Sequence, residues 1–100
     1  MTDRYINAAQ QRVLALQFRL AGHEIEGIAP GELAAALGTS ASNITRDLAN
    51  LKEAGVAEKL PNERWRLAPR VVQISTAYAL ALKTAQDHVN ETAQRFGRMR

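Results

Sequence analysis

The chain contains no cysteine, which excludes disulfides and thiolate metal sites. Its three prolines fall at Pro30, Pro61 and Pro69, and its six glycines are scattered, so no glycine-rich loop is available to cradle a phosphate. Aromatic residues make up only 5% of the chain. The longest apolar run, Ala77 to Leu82, is far too short to span a bilayer. Neither sign of charge dominates: 13 Lys and Arg stand against 10 Asp and Glu, a net charge of +3 that permits a nucleic-acid partner without demanding one. Met1 to Tyr5 shows no basic patch leading into an apolar run, so no signal peptide is expected and the chain reads as soluble and cytoplasmic.

What is present is an Ala- and Leu-rich helical composition, 46% hydrophobic over 100 residues, which fits one domain with a small core. A chain this short buries a modest share of its surface, so help from a partner subunit is expected.

Hydrophobic spacing and capping residues divide the chain. A first helix is expected from about Asn7 to Ala21, opened by a capping-box pair, Asn7 and Gln10, and stopped by Gly22. Its apolar stripe is Ala9, Val13, Leu16 and Leu20, with Leu14 and Phe18 read as widening it. Gly27 to Ala29 is expected to add a short strand to a small sheet. A second helix, Pro30 to Leu37, has proline in its first turn, Leu33, Ala34 and Leu37 toward the core, and Gly38 at its end. A third, capped by Thr39 or Ser40, runs to about Ala54 on a stripe of Ile44, Leu48 and Leu51. Val56 to Leu60 and Arg64 to Leu67 read as two strands around a Pro61–Asn62–Glu63 turn. Trp65 and Leu67 are expected on one face, and Arg64 and Arg66 on the other. Pro69 ends the hairpin and a last helix runs from Arg70 to about Phe96.

The pair of short helices joined at Leu37–Gly38–Thr39 has the spacing of a helix-turn-helix. Ala34 is small where the helices cross, and Ile44 with Leu48 anchors the second helix on the first. Ser40, Ser42, Asn43, Thr45 and Arg46 then occupy the half of the third helix that such motifs insert into a major groove. Asn pairs with adenine, and Ser and Thr read several base edges. The hairpin is read as a wing whose outward cations, Lys59, Arg64 and Arg66, with Asn62 at the tip, suit phosphate or minor-groove contacts. Plainer readings stand beside these. Arg46 pairs with Asp47 or Glu53, the hairpin cations are merely solvated among Glu58 and Glu63, and Trp65 is a core residue rather than a stacking platform.

These residues resemble the winged helix-turn-helix heads of bacterial regulators. Ile44-Thr-Arg-Asp-Leu48, followed by Leu51 and Gly55-Val56, is similar to the recognition-helix pattern of the DeoR type. Arg64-Trp-Arg-Leu-Ala-Pro-Arg70 resembles the step from wing to linker helix of the IclR type. The resemblance covers roughly residues 8–75. It implies a mostly α fold with a small β-hairpin and a function in binding double-stranded DNA. Thr39 and Asp47 depart from the IclR pattern, which has apolar residues there. Full-length members of both families carry a large effector domain where this chain has one helix, so small-molecule control is not carried over.

In that last helix Val71, Ser75, Tyr78, Leu82, Ala85, Val89, Thr92, Phe96 and Met99 recur at spacings of four and three, a heptad seam. Val71, Tyr78, Leu82, Ala85, Val89 and Phe96 are taken as dimerisation residues, with the strand direction open. Arg95, Arg98 and Arg100 form a basic tail, best read as solvated. The expected organisation is a DNA-binding head over 1–68 and a dimerisation helix over 69–100.

Enzyme chemistry finds no support. His23, Glu24 and Glu26 in a loop, and Asp87, His88 and Glu91 on a helix, lack metal-site spacing, and no nucleophile with a partner signature is present. No catalytic residue, metal or cofactor is assigned. The function expected is a homodimeric transcriptional regulator, repressor-like and without a sensor domain. The alternatives are a protein-interaction adaptor on a winged-helix fold, or a DNA-binding subunit of a viral or mobile-element machine.

Overall fold

The computed structural model describes residues 3–97; Arg98, Met99 and Arg100, assigned above to the seam and tail, lie outside them. The elements are α1 (Ala8–Leu20), α2 (Pro30–Leu37), α3 (Ala41–Glu53), β1 (Ala57–Lys59), β2 (Trp65–Leu67) and α4 (Pro69–Gly97). The chain divides into two compact units, Met1–Arg70 and Val71–Arg100.

Local chemistry sets the helix boundaries of the first unit. The Asn7 side chain accepts the Gln10 N–H at 3.0 Å and starts α1. Ser40 does the same for Asn43 at 3.1 Å and starts α3, so Ser40 rather than Thr39 is the cap. Between α2 and α3 the chain reverses through Gly38 at φ 61, while the Gly38 and Thr39 amides donate to the otherwise orphaned carbonyls of Ala35 and Ala34. That left-handed turn sets α3 against α2.

α1, α2, α3 and the hairpin enclose one core. Leu16, Leu20, Leu33, Ile44 and Leu48 are its fully buried large side chains, and Ile28, Leu51, Ala57 and Trp65 complete it. Trp65 is thus a core residue, as its shared face with Leu67 suggested. Val13 and Leu37, also expected inside, are half-buried against this cluster.

Two expectations for α1 fail. Leu14 and Phe18 are 50% and 81% exposed. They flank Leu16 by two residues on either side, and two helical steps turn a side chain by about 200°, onto the opposite face. Ala9 is also exposed, a full turn before the first side chain that reaches the core.

β1 and β2 pair antiparallel with Ala57 opposite Leu67, Glu58 opposite Arg66 and Lys59 opposite Trp65. The expected strand at 27–29 is reduced to one bridge, in which Ile28 and Trp65 exchange both backbone hydrogen bonds at 2.8 and 2.9 Å. Gly27 makes that approach possible. A Cβ there would stand 2.9 Å from Arg64 Cβ and 3.0 Å from the Trp65 carbonyl, and its φ of 76 is one that other residues resist.

The second unit is helical from its start to Gly97. α4 buries none of its described side chains, and Ile74, Tyr78, Leu82, Val89 and Phe96 are each more than half exposed.

Candidate nucleic-acid interface

Three buried residues on one side of α3, Ile44, Leu48 and Leu51, leave the other side to solvent. Ser42, Thr45 and Arg46 are exposed there, and Asn43 is half-buried at its edge. The polar groups differ in what they have left to offer. Ser40 Oγ is engaged as the cap. Asn43 Nδ2 donates to Thr39 Oγ1 at 2.9 Å, so the amide proposed for reading adenine braces the turn between the helices. Thr45 Oγ1 donates to the Ala41 carbonyl at 3.0 Å, leaving its lone pairs and methyl outward. Ser42 has no hydrogen bond to another described side chain or carbonyl.

Arg46 is the cation of this face. It makes no ion pair among the described residues, because its neighbour in sequence, Asp47, is taken elsewhere. Asp47 is 4% exposed and accepts two bonds from Arg12 of α1, from Nε at 2.6 Å and from Nη2 at 3.0 Å. The carboxylate raises the pKa of the Arg12 guanidinium, first through the hydrogen bond and then through its charge, and holds it ionised. The surface pairing of Arg46 with Asp47 is thereby excluded.

Sequence reasoning missed two participants. Arg12 was assigned no role, because nothing local links it to a residue 35 positions away. Asn50 lies one turn beyond Arg46 on the same exposed side and donates to the Arg46 carbonyl at 2.9 Å. Its i,i+4 spacing from Arg46 was the available signal.

The wing differs from the expectation of three outward cations suited to phosphate or minor-groove contacts. Residues opposite each other in an antiparallel pair share a face, so Lys59 lies on the Trp65 side and Arg66 lies with Glu58 on the other. Lys59 pairs with Glu63 at 2.6 Å. Arg66 pairs with Glu58 at 2.7 Å and also donates to the Glu24 carbonyl at 3.0 Å. Asn62 does not stand free at the tip. Its Oδ1 accepts the Arg64 N–H, and its Nδ2 donates to the Glu26 carbonyl, tying the hairpin to the 22–27 loop. Arg64, half-buried beside that loop, has no ion-pair partner among the described residues. The cations unpaired on the α3 and hairpin surfaces are therefore Arg46, Lys52 and Arg64. No group of three or more His, Asp or Glu is placed to hold a metal among the described residues, and none of the described helices is long and apolar enough to cross a membrane.

No protein-family description and no curated protein matches this chain by sequence. Among solved structures, the ORF112 Zalpha domain of Cyprinid Herpesvirus 3, solved for its binding mode to Z-DNA, is similar at 25% identity with a TM-score of 0.52. The match covers 58% of this chain and 93% of that domain. Lactococcus lactis ZitR, in a mutant form, aligns at 20% identity with a TM-score of 0.48 over 91% of this chain, which spans 65% of ZitR. With three helices, a left-handed helix-to-helix turn and an antiparallel hairpin in one body, followed by a 29-residue helix, the chain has a winged helix-turn-helix fold with a long C-terminal helix.

Proposed function

We propose that this chain is a sequence-specific double-stranded DNA-binding protein that acts as a homodimeric, repressor-like transcriptional regulator by occupying its operator. The observation that carries the reading is the exposed side of α3, where Ser42, Thr45 and an unpaired Arg46 stand opposite a fully buried apolar stripe. On that geometry α3 enters the major groove. Arg46 contacts a phosphate, Ser42 and Thr45 read base edges, and Arg64 of the wing grips the neighbouring backbone. The similarity to a Z-DNA-binding domain and the resemblances to DeoR-type and IclR-type heads support a DNA partner in kind. The unsatisfied apolar side of α4 supports the homodimer, and the absence of a spanning helix among the described residues suits a cytoplasmic regulator.

A second reading, a protein-interaction adaptor, is favoured by one observation: the wing cations Lys59 and Arg66 are spent on Glu63 and Glu58. With few free cations per head, a DNA complex would show a shallow salt dependence, since each phosphate contact contributes a slope of about −0.9 in log affinity against log salt.

Selection from a random duplex library, followed by salt titration of the winner, tests this. An enriched inverted repeat, with Arg46→Ala weakening binding at least tenfold and lowering the salt slope by about 1 per head, is expected. No enrichment and no binding at low salt overturns the DNA reading and leaves the adaptor. A left-handed duplex arm is included, and preference for it over every right-handed sequence would overturn sequence-specific operator binding.

A further inference from the structure

We infer that α4 pairs with α4 of a second copy in antiparallel fashion, in a register centred on the Lys83–Thr84 peptide bond. The inference rests on the homodimer reading and adds its direction and alignment.

The outer side of α4 carries hydrogen bonds of its own, with Leu80 exposed among them. Lys83 donates to Asp87 at 2.8 Å and Gln86 to Asn90 at 3.0 Å, both within the helix. The heptad face is left with Tyr78 68%, Leu82 55%, Val89 60% and Phe96 70% exposed. A stable interface of standard size takes about 800 Å² from each partner, and this face runs the length of a 29-residue helix with no described side chain buried. A polar partner does not fit a face of this kind, and a second copy presents the same length of apolar residues.

Direction follows from side-chain size. In a parallel pair each seam residue meets its own copy. Tyr78 would face Tyr78 and Phe96 would face Phe96, while Ala85 faces Ala85 and Ser75 faces Ser75. Two paired helices hold a nearly constant separation, so such a seam would clash at the rings and leave voids at the small layers. Reversing one helix about the Lys83–Thr84 bond matches each apolar layer larger to smaller. Phe96 meets the partner's Val71, Val89 meets the partner's Tyr78, and Leu82 meets the partner's Ala85. The two hydroxyl positions, Ser75 and Thr92, meet each other, so the polar layer can hydrogen-bond across the seam instead of facing an apolar side chain. The same register lays the Arg95 stem along the partner's Ile74.

The helix starts in an antiparallel pair lie about 43 Å apart along the axis, at 1.5 Å per residue. Each head is joined to its own start, so the two points of attachment lie at opposite ends of the arm.

The absence of native cysteine makes cross-linking unambiguous. Full-length Ser75→Cys and Thr92→Cys chains, distinguished by a mass tag, are co-expressed and mildly oxidised, and each is also oxidised alone. The expected result is a mixed disulfide between the two variants and only background homotypic product from either. Homotypic disulfides from each variant alone would establish a parallel pair and overturn the inference. A chain that is dimeric by light scattering yet forms neither product would place the interface elsewhere and equally overturn it. A wild-type chain that is monomeric by light scattering would instead overturn the homodimer reading itself.

Discussion

Arg12 of α1 and Asp47 of α3 form a two-pronged ion pair, Nε to Oδ2 at 2.6 Å and Nη2 to Oδ1 at 3.0 Å. The Asp47 side chain is 5% exposed and that of Arg12 23%. The pair clamps the first helix to the proposed recognition helix and leaves Arg46 free. Breaking it from one side strands a buried carboxylate, which costs far more than an exposed pair is worth. Arg12→Ala is therefore expected to lower Tm by about 10 °C or more in thermal unfolding followed by circular dichroism. Replacing both residues, Arg12→Met with Asp47→Leu, should recover most of that loss, because the unpaired charge is gone. A double variant as unstable as the single one would contradict this account.

Two glycines should respond in opposite ways to alanine. Gly27→Ala puts a Cβ within 3.0 Å of the Trp65 carbonyl at a positive φ, and should cost about 2–3 kcal/mol in urea unfolding. Gly31→Ala, in the first turn of α2 with nothing within 4 Å of the new Cβ, should be neutral or stabilise by up to about 0.5 kcal/mol.

The hairpin turn holds Glu63 at φ 69, the one described residue other than glycine with positive φ. The three-residue loop between Leu60 and Arg64 asks for glycine at that position. Glu63→Gly should raise stability by about 0.5–1 kcal/mol despite losing the exposed pair with Lys59, since such pairs contribute little. Denaturant midpoints of the two proteins check this.

The Glu24 carboxylate accepts the Gly22 N–H at 3.0 Å, and that bond, followed by one from its own amide, lowers its pKa below the ordinary 4.5. A carboxyl with a depressed folded pKa contributes stability that is fully present above its ordinary value and is lost as pH falls through the lowered one. The wild type should lose more Tm between pH 7 and pH 3 than Glu24→Gln does. Equal losses would show that this bond contributes nothing.

Leu82 lies mid-way along the exposed apolar side of α4. Leu82→Asp should give a monomer by light scattering at micromolar concentration, with the head still folded by its Trp65 fluorescence, and should weaken operator binding at least tenfold. A Leu82→Asp protein that remains dimeric would remove this face from the interface.

Much of the fold could be read from local chemistry. Asn7 and Ser40 cap the helices that follow them, Pro30 opens α2, and Gly38 closes it, because each acts through bonds to residues within a turn. The alternation around Trp65 placed it in the core for the same reason. The candidate site was legible only in part. Ser42, Thr45 and Arg46 are exposed where the helix-turn-helix spacing put them, but Asn43 turned out to be braced on Thr39.

The sequence by itself determined the four helices and the hairpin, with their ends to within a residue or two, and the heptad seam of α4, since helical period and capping are short-range properties. Only the tertiary structure decided which charges are spent and which are free. Asp47 is satisfied from 35 residues away, and Lys59 and Arg66 fall on opposite faces because of a strand register that neither strand specifies alone. Leu14 and Phe18 are exposed because the core lies on one side of α1 only. Pairing between distant residues depends on how the elements pack, and packing is a property of the whole body and not of any segment within it.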